Sequence, residues 1–183
     1  MTYNIDICGL KRDLPICKLS DDLAIGAFVI FGDVELTVHC AAELLKRAPA
    51  FDYLIAPEAK AIPLVYEMSR QSGIKYYLAR KHSKAYMSGV FEVKVRSITT
   101  AGEQTLCIDT ADAEAIRGKR IVIIDDVIST GESLHAVEEL VNKAGGNIVA
   151  KMAILAEGDA YDREDITVLQ KLPLFKADGT PIL

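Results

Sequence analysis

Apolar residues along this chain fall into short unbroken runs that alternate with longer stretches of helical period. The run Leu23–Phe31 predicts a buried strand. It is followed by Val34, Val38, Ala41 and Leu45 at helical spacing, with Asp33 placed to cap the first turn. Phe51–Ala56 predicts a second strand. A helix is expected from Ile62, with Pro63 in its first turn and Gly73 as its stop. Ile74–Arg80 reads as a third strand, and a polar, basic stretch, Lys81–Gly89, comes after it. Val90–Thr100 and Glu103–Thr110 then predict two antiparallel strands around a turn at Ala101–Glu103. Arg120–Asp125 predicts the next strand, and Glu132–Ala144 a helix with Leu134, Val137, Leu140 and Val141 on its apolar face and Gly145 and Gly146 at its end. Asn147–Ala156 closes the series as another strand.

This order is βαβαβ, a hairpin, then βαβ. It implies an α/β fold: one domain over residues 1–183, with a doubly wound, mostly parallel sheet and helices on both faces. Residues 1–30 are expected to form a small flap of their own.

Composition narrows the class. Half of the 183 residues are apolar and 26% are charged, as in a globular chain, and the net charge of -5 argues against general nucleic-acid binding. No long apolar window predicts a membrane span, and the first residues lack the apolar core of a secretory signal, so a cytoplasmic location is expected. Cys8, Cys17, Cys40 and Cys107 are scattered and form no Cys-x-x-Cys pair. They are expected to be small buried hydrophobes in a reducing compartment, with no zinc site or disulfide framework.

The chemistry concentrates in "RIVIIDDVISTGES", Arg120–Ser133. The strand Ile121–Ile124 ends on Asp125 and Asp126, and the turn Val127–Gly131 leads into a helix. Ligands of parallel sheets bind beyond the carboxyl ends of the strands. Backbone N–H groups of the turn, the helix dipole and the hydroxyls of Ser129, Thr130 and Ser133 suit a phosphate, and Gly131 allows close approach. The spacing is neither that of a Walker loop nor that of a dinucleotide fingerprint. Two acids beside a phosphate cradle need hydroxyls or a cation between them. Ribose hydroxyls or a divalent metal meet that need.

These residues resemble the PRPP-binding signature of the type I phosphoribosyltransferases, over roughly Phe51–Glu157. The resemblance is closest to the adenine branch and implies that Asp125, Asp126, Val127, Ile128, Ser129, Thr130, Gly131, Glu132 and Ser133 hold the ribose and 5-phosphate of PRPP. "APEAKAI", Ala56–Ile62, is similar to the pyrophosphate loop of that branch, with Lys60 and Ala61 where Arg and Gly are usual. Lys60 keeps the charge without the bidentate fork. Ala61 tolerates a positive φ less well than glycine. Glu58, Ala59, Lys60 and Ala61, with Arg80, Lys81 and Lys84 of "ARKHSK", would grip the pyrophosphate. Residues 82–107 would form a lid over the reaction. Thr99 stands where the adenine branch usually has a lid glutamate, so the lid is similar to that of the xanthine branch and of a purine-operon regulator. Glu92 and Glu103 are alternative helpers.

The reaction implied is displacement of pyrophosphate from PRPP by a purine nitrogen, with Mg²⁺ held mainly through PRPP and through Asp125 and Asp126. If the pleat persists at the two acids, they point to opposite faces and only one meets the sugar. Ser129 and the segment "LAEGDA", with Glu157 and no lysine, depart from the hypoxanthine-guanine branch. Glu157 as an acceptor suits a 6-amino group, which favours adenine, with xanthine second. The remaining alternative is a PRPP-binding regulator without catalysis. No nucleic-acid or membrane partner is expected. A homodimer is what the resemblance implies.

Overall fold

The computed structural model describes residues 1–96 and 103–182, without the side chains of residues 95, 96, 103 and 104. Its main sheet has five parallel strands. In chain order they are β4 (Tyr53–Pro57), β5 (Tyr76–Ala79), β8 (Arg120–Ile128), β9 (Asn147–Glu157) and β10 (Thr167–Leu172), and they lie in the order β10-β9-β8-β4-β5. Helices α1 (Val34–Arg47) and α2 (Ile62–Ser72) cover one face, and α3 (Thr110–Ile116) and α4 (Glu132–Ala144) the other. This is the expected doubly wound architecture. β8 is the central strand because it carries two apolar faces. Ile121 and Ile123 enter the core under α4, while Val122 and Ile124 enter the core under α1 and α2. A strand buried on both sides reads as a continuous apolar run, as this one does.

From β4 the chain winds outward to β5; from β8 it winds the other way, to β9 and β10. The reversal falls between β4 and β8, which are hydrogen-bonded neighbours. The loops leaving their carboxyl ends, Glu58–Ala61 and Ser129–Gly131, therefore diverge to opposite faces and leave a crevice between them, the usual ligand position in an open parallel sheet.

A second sheet, all antiparallel, holds β1 (Thr2–Ile7), β2 (Leu10–Lys18), β3 (Leu23–Gly26), β11 (Leu174–Lys176) and β12 (Pro181–Ile182), in the order β1-β2-β3-β11-β12. The expected N-terminal flap is thus not made by the first thirty residues alone. C-terminal strands complete it, and the buried Phe175 meets Tyr3 edge to face at 5.1 Å. The third sheet is the hairpin β6 (Val90–Arg96) and β7 (Glu103–Asp109); the turn predicted between them includes residues outside those described. Arg80, just past β5, exchanges both backbone hydrogen bonds with Cys107, so the hairpin is tied to the edge of the main sheet. Its other side packs on α4, where the Lys143 ammonium donates to the Glu92 carbonyl at 2.7 Å.

Several boundaries and faces differ from expectation. The strand predicted over Leu23–Phe31 stops at Gly26, and Phe28 and Ile30 are buried from an irregular segment while Val29 and Phe31 stay exposed. The strands expected at Phe51–Ala56 and Ile74–Arg80 are shorter at their starts, beginning at Tyr53 and Tyr76. In α1 the buried residues are Leu36, Thr37, Cys40, Ala41 and Leu44; of the predicted stripe Ala41 is buried and Leu45 packs against the core, whereas Val34 and Val38 face outward. The helix offers apolar residues on both registers, and packing against α2 selects one. α2 itself matches expectation, with Pro63 in the first turn and Gly73 in the left-handed conformation at its end. α3 and the strands after β9 had no predicted counterpart. Of the four cysteines, Cys40 and Cys107 are buried as expected, but Cys17 is exposed, since β2 is amphipathic and turns one side to solvent, and Cys8, in the turn between β1 and β2, is half-buried.

Asp33 links the two sheets. Its carboxylate caps α1 by accepting from the Leu36 N–H at 3.0 Å, and it receives Nε and Nη2 of Arg12 from β2 at 2.5 and 3.0 Å. The Arg12 guanidinium is the chief cause that holds the Asp33 carboxyl below its usual pKa. Removing both roles by Asp33→Ala is expected to destabilise the fold by about 1–2 kcal/mol at pH 7. A depressed carboxylate contributes stability above its unfolded pKa and loses it as pH falls through the folded value, so the difference from wild type should shrink below about pH 4. Urea denaturation at pH 7 and pH 3 checks both points; an equal difference at the two pH values would contradict the ion-pair assignment.

Candidate functional site

The site forms where the carboxyl ends of β8, β4 and β9 meet. The strand predicted to end at Asp125 runs on to Ile128, so both acids are strand residues, and the turn begins only at Ser129. Asp125 and Asp126 are 8% and 5% exposed. The pleat does not persist through them. Strict alternation would put Val127 on the α4 side and Ile128 on the α1–α2 side, but Val127 packs against the α1–α2 core and Ile128 lies in the α4 core. β9 slips in the same way, with Ile154 and Leu155 both in the α1–α2 core. The expectation of opposite-facing acids therefore loses its premise. The Asp126 N–H donates to Asp125 Oδ1 at 2.9 Å, while Asp126 Oδ2 is buried without a hydrogen-bond partner among the described residues. Burial, and next the charge of Asp126, push the Asp125 carboxyl well above the usual range, and the Lys60 ammonium acts in the opposite direction.

After Ile128 the chain turns through Ser129 and Thr130, both exposed, to Gly131 at φ +80°. Gly131 precedes α4 and has no side chain with which to cap it, so the first-turn N–H groups depend on partners outside the helix. Ser133 and Glu132 lie in that first turn. The left-handed φ alone favours glycine, and space demands it too. A methyl group at Gly131 would meet Nη1 of Arg163 at 2.7 Å. Nothing in the sequence around Arg163 marks it as part of the site. It lies thirty-two residues further on, in the loop between β9 and β10, and only the return of that loop over α4 brings it here.

The loop after β4 faces this turn. The Glu58–Ala59 peptide is cis. The Glu58 carboxylate, assigned to pyrophosphate from sequence, is already engaged: it accepts from Nη1 of Arg80 at 3.2 Å and from the Lys81 N–H at 3.0 Å. Glu58 thus fastens the β4 loop to the basic segment after β5. Ala59 and Lys60 are exposed. Ala61 is buried at φ -73°, a conformation open to any residue, so alanine in place of glycine carries no strain here. The Lys60 charge reaches both Asp125 and the half-buried Glu157 at the end of β9, whose carboxyl is raised by burial and lowered by Lys60.

The three basic residues after β5 are not brought together on one wall. Lys81 lines a cleft of about 550 Å³ with Pro57, Glu58, Glu92, Cys107 and Ser133. Arg80 instead lies along a separate groove beside Tyr86, with its guanidinium carbon 5.9 Å from the ring centre. Lys84 is exposed. Of the alternative lid groups, Glu92 lines the cleft; Thr99 and the Glu103 side chain lie outside the described residues. No group of three or more His, Cys, Asp or Glu among the described residues forms a metal cage. The acid pair with one unpartnered oxygen still suits a cation whose other ligands come from a bound molecule.

An open parallel α/β sheet thus carries two acids on its central strand and a hydroxyl-lined turn at a helix start, in the position where such sheets bind their ligands. The model of the phosphoribosyl transferase domain matches residues 39–178, and the chain belongs to that family. It has the type I phosphoribosyltransferase fold. The chain is 32% identical over 130 residues to a hypoxanthine/guanine phosphoribosyltransferase of Methanococcus voltae, covering 70% of this chain and 66% of that one. It is 28% identical over 145 residues to an adenine phosphoribosyltransferase of Petrotoga mobilis, covering 76% and 78%. In fold it resembles the adenine phosphoribosyltransferase of Thermoanaerobacter pseudethanolicus, with a TM-score of 0.65, 23% identity, and 78% and 84% of the two chains covered. The match spans between about half and two thirds of the length of three of the curated relatives, at 53%, 58% and 66%.

Like charges buried side by side cost stability, and Asp125 bears that cost in its raised pKa. Asp125→Asn keeps an acceptor for the Asp126 N–H and removes one charge. It is expected to unfold at the same or a higher urea concentration than wild type at pH 7; a clear loss of stability would show that the pair is not under electrostatic strain.

Proposed function

We propose that this chain is a purine phosphoribosyltransferase, moving ribose 5-phosphate from PRPP to a purine with release of pyrophosphate. The observation that carries this is the pair Asp125 and Asp126 on the central strand, immediately before the Ser129–Ser133 turn. The turn and the α4 N-terminus receive the 5-phosphate, and the acids receive the ribose 2- and 3-hydroxyls. Lys60 and Lys81 face the pyrophosphate across the crevice, held by the Glu58 clamp. Asp125 and Asp126 would also help to hold Mg²⁺, which when bound makes pyrophosphate a better leaving group. The protein acts by positioning and by charge. It aligns the purine nitrogen with the anomeric carbon and keeps cations on the leaving oxygens. Glu92 on the hairpin is the carboxylate available at the cleft for a proton on the purine.

The base proposed is adenine. Glu157 at the end of β9 is half-buried and acidic, an acceptor for a 6-amino group and a poor neighbour for a 6-oxo group. A 6-oxopurine is the second reading. Lys60, close enough to influence Glu157, offers a donor, and several relatives, including those of Methanococcus voltae and Methanothermobacter thermautotrophicus, are named for hypoxanthine and guanine. A cytoplasmic homodimer completes the proposal.

Pyrophosphate release with Mg-PRPP and each of adenine, hypoxanthine, guanine, xanthine and orotate tests it. Turnover is expected with adenine, and Glu157→Gln should then lower kcat/KM for adenine by roughly tenfold or more relative to a 6-oxopurine. Turnover confined to a 6-oxopurine would overturn the base assignment. Silence with all five, together with tight Mg-PRPP binding, would replace the enzyme by a PRPP sensor. Lys60→Ala should raise KM for PRPP by about tenfold, the size of one charge-assisted contact, with the melting temperature unchanged; a change in melting temperature alone would make Lys60 structural.

A further inference from the structure

Arg163 sits outside every stretch that resembles the family signature, yet its guanidinium lies over Gly131 in the middle of the cradle. Nη1 stands 2.7 Å from where a Gly131 Cβ would be, with the guanidinium carbon at 4.0 Å. The rest of the fork is fixed. Nε and Nη2 donate to the two oxygens of Asp165 at 2.9 and 2.8 Å. Asp165 is held in turn by the Lys151 ammonium, and that ammonium also donates to Glu138 of α4 at 2.6 Å. Lys151 is only 16% exposed. Two anchors, one on β9 and one on α4, therefore set the guanidinium plane with its Nη1 edge toward the turn. The order of the loop around it follows from the same contacts, since the Arg163 N–H closes the short 3₁₀ turn Gly158–Asp162 on the Ala160 carbonyl.

The cradle has a charge problem that this cation addresses. Its turn supplies hydroxyls and N–H groups but no lysine or arginine, and its helix begins with Glu132. Asp125 and Asp126 stand six and five residues before Gly131. A phosphate dianion placed there meets several carboxylates and only the partial charge of the helix end. A guanidinium is the group best matched to phosphate oxygens, and one already immobilised loses little entropy on contact.

We propose that Arg163 is a 5-phosphate-binding residue of this chain, closing the Ser129–Ser133 cradle from the side of the β9–β10 loop and offsetting the acids around it. The proposal rests on the phosphoribosyltransferase reading above and adds to it a cation that the signature does not contain. The Gly131 side of the turn is where it acts. The contacts of Arg163 run to Gly131 and to the Asp165–Lys151 cluster and not to the groups assigned to pyrophosphate, so its loss should be felt at the 5-phosphate and not at pyrophosphate.

Isothermal titration of the full chain with PRPP, ribose 5-phosphate and Mg-pyrophosphate separates the possibilities. Arg163→Gln is expected to weaken ribose 5-phosphate and PRPP by roughly ten- to a hundredfold and to leave Mg-pyrophosphate within about twofold. Arg163→Lys should recover part of the loss, and thermal unfolding should show both variants folded. Unchanged ribose 5-phosphate and PRPP affinity in Arg163→Gln would overturn the assignment while leaving the phosphoribosyltransferase reading intact. Equal weakening of all three ligands would overturn it in favour of a structural role for the Arg163–Asp165–Lys151 cluster. Wild-type protein that binds neither ribose 5-phosphate nor PRPP would remove the phosphoribosyltransferase reading and this inference together.

Discussion

Two carboxylates lie side by side in the interior near the end of the central strand, one of their oxygens without a partner among the described residues. In a folded chain this is costly, because each carboxylate is buried and among the described residues neither has a direct ion pair. Much of the surrounding structure fits that constraint. Lys60 is close enough from the β4 loop to lower the energy of the ionised Asp125. The helix α4 begins six residues after the second acid. The slip in the pleat of β8, matched in β9, permits Ile124 and Val127 to share one core across the acids. A site that stores unfavourable charge in this way is poised for a partner that brings hydroxyls or a cation.

The fold makes the arrangement possible through its switch point. Because β5 winds away on one side of β4 and β9 on the other side of β8, no helix or loop needs to cross the gap between the β4 and β8 loops. The Glu58 clamp to Arg80 and Lys81 keeps the β4 loop and the basic segment together. The hairpin is tied to the sheet edge at Arg80–Cys107 and to α4 at Lys143, so it borders the cleft from two attachment points. The antiparallel second sheet reaches the end of β9 through Leu174 of β11, which packs against Gly158 beside Glu157, and the Arg12–Asp33 pair connects it to the start of α1.

How much of this was legible in the chain depended on how local each signal was. The five apolar runs, the stop at Gly73 and the buried face of α4 follow from period and breaker residues within a dozen positions. The acids and the Ser-Thr-Gly turn form one contiguous stretch, and their chemistry could be argued from it. The α1 stripe misled because Val34 and Val38 share the helical period with the residues that are buried, and the choice between registers is made by α2. Glu58 looked like a ligand-facing acid because its partners come from a different loop, twenty-two and twenty-three residues away.

The amino-acid sequence by itself determined the alternation of strands and helices, the central strand and the turn that follows it, since periodicity and backbone preference act over short spans. The tertiary structure decided which carboxylates are free and which are clamped, how the pleat breaks at Asp125 and Asp126, that the chain's two ends share one sheet, and that Arg163 lies over Gly131. Each of these is a meeting of groups far apart in the chain. Their proximity is set by the twist and order of the sheet and the paths of the loops between its strands, which no local window of sequence encodes.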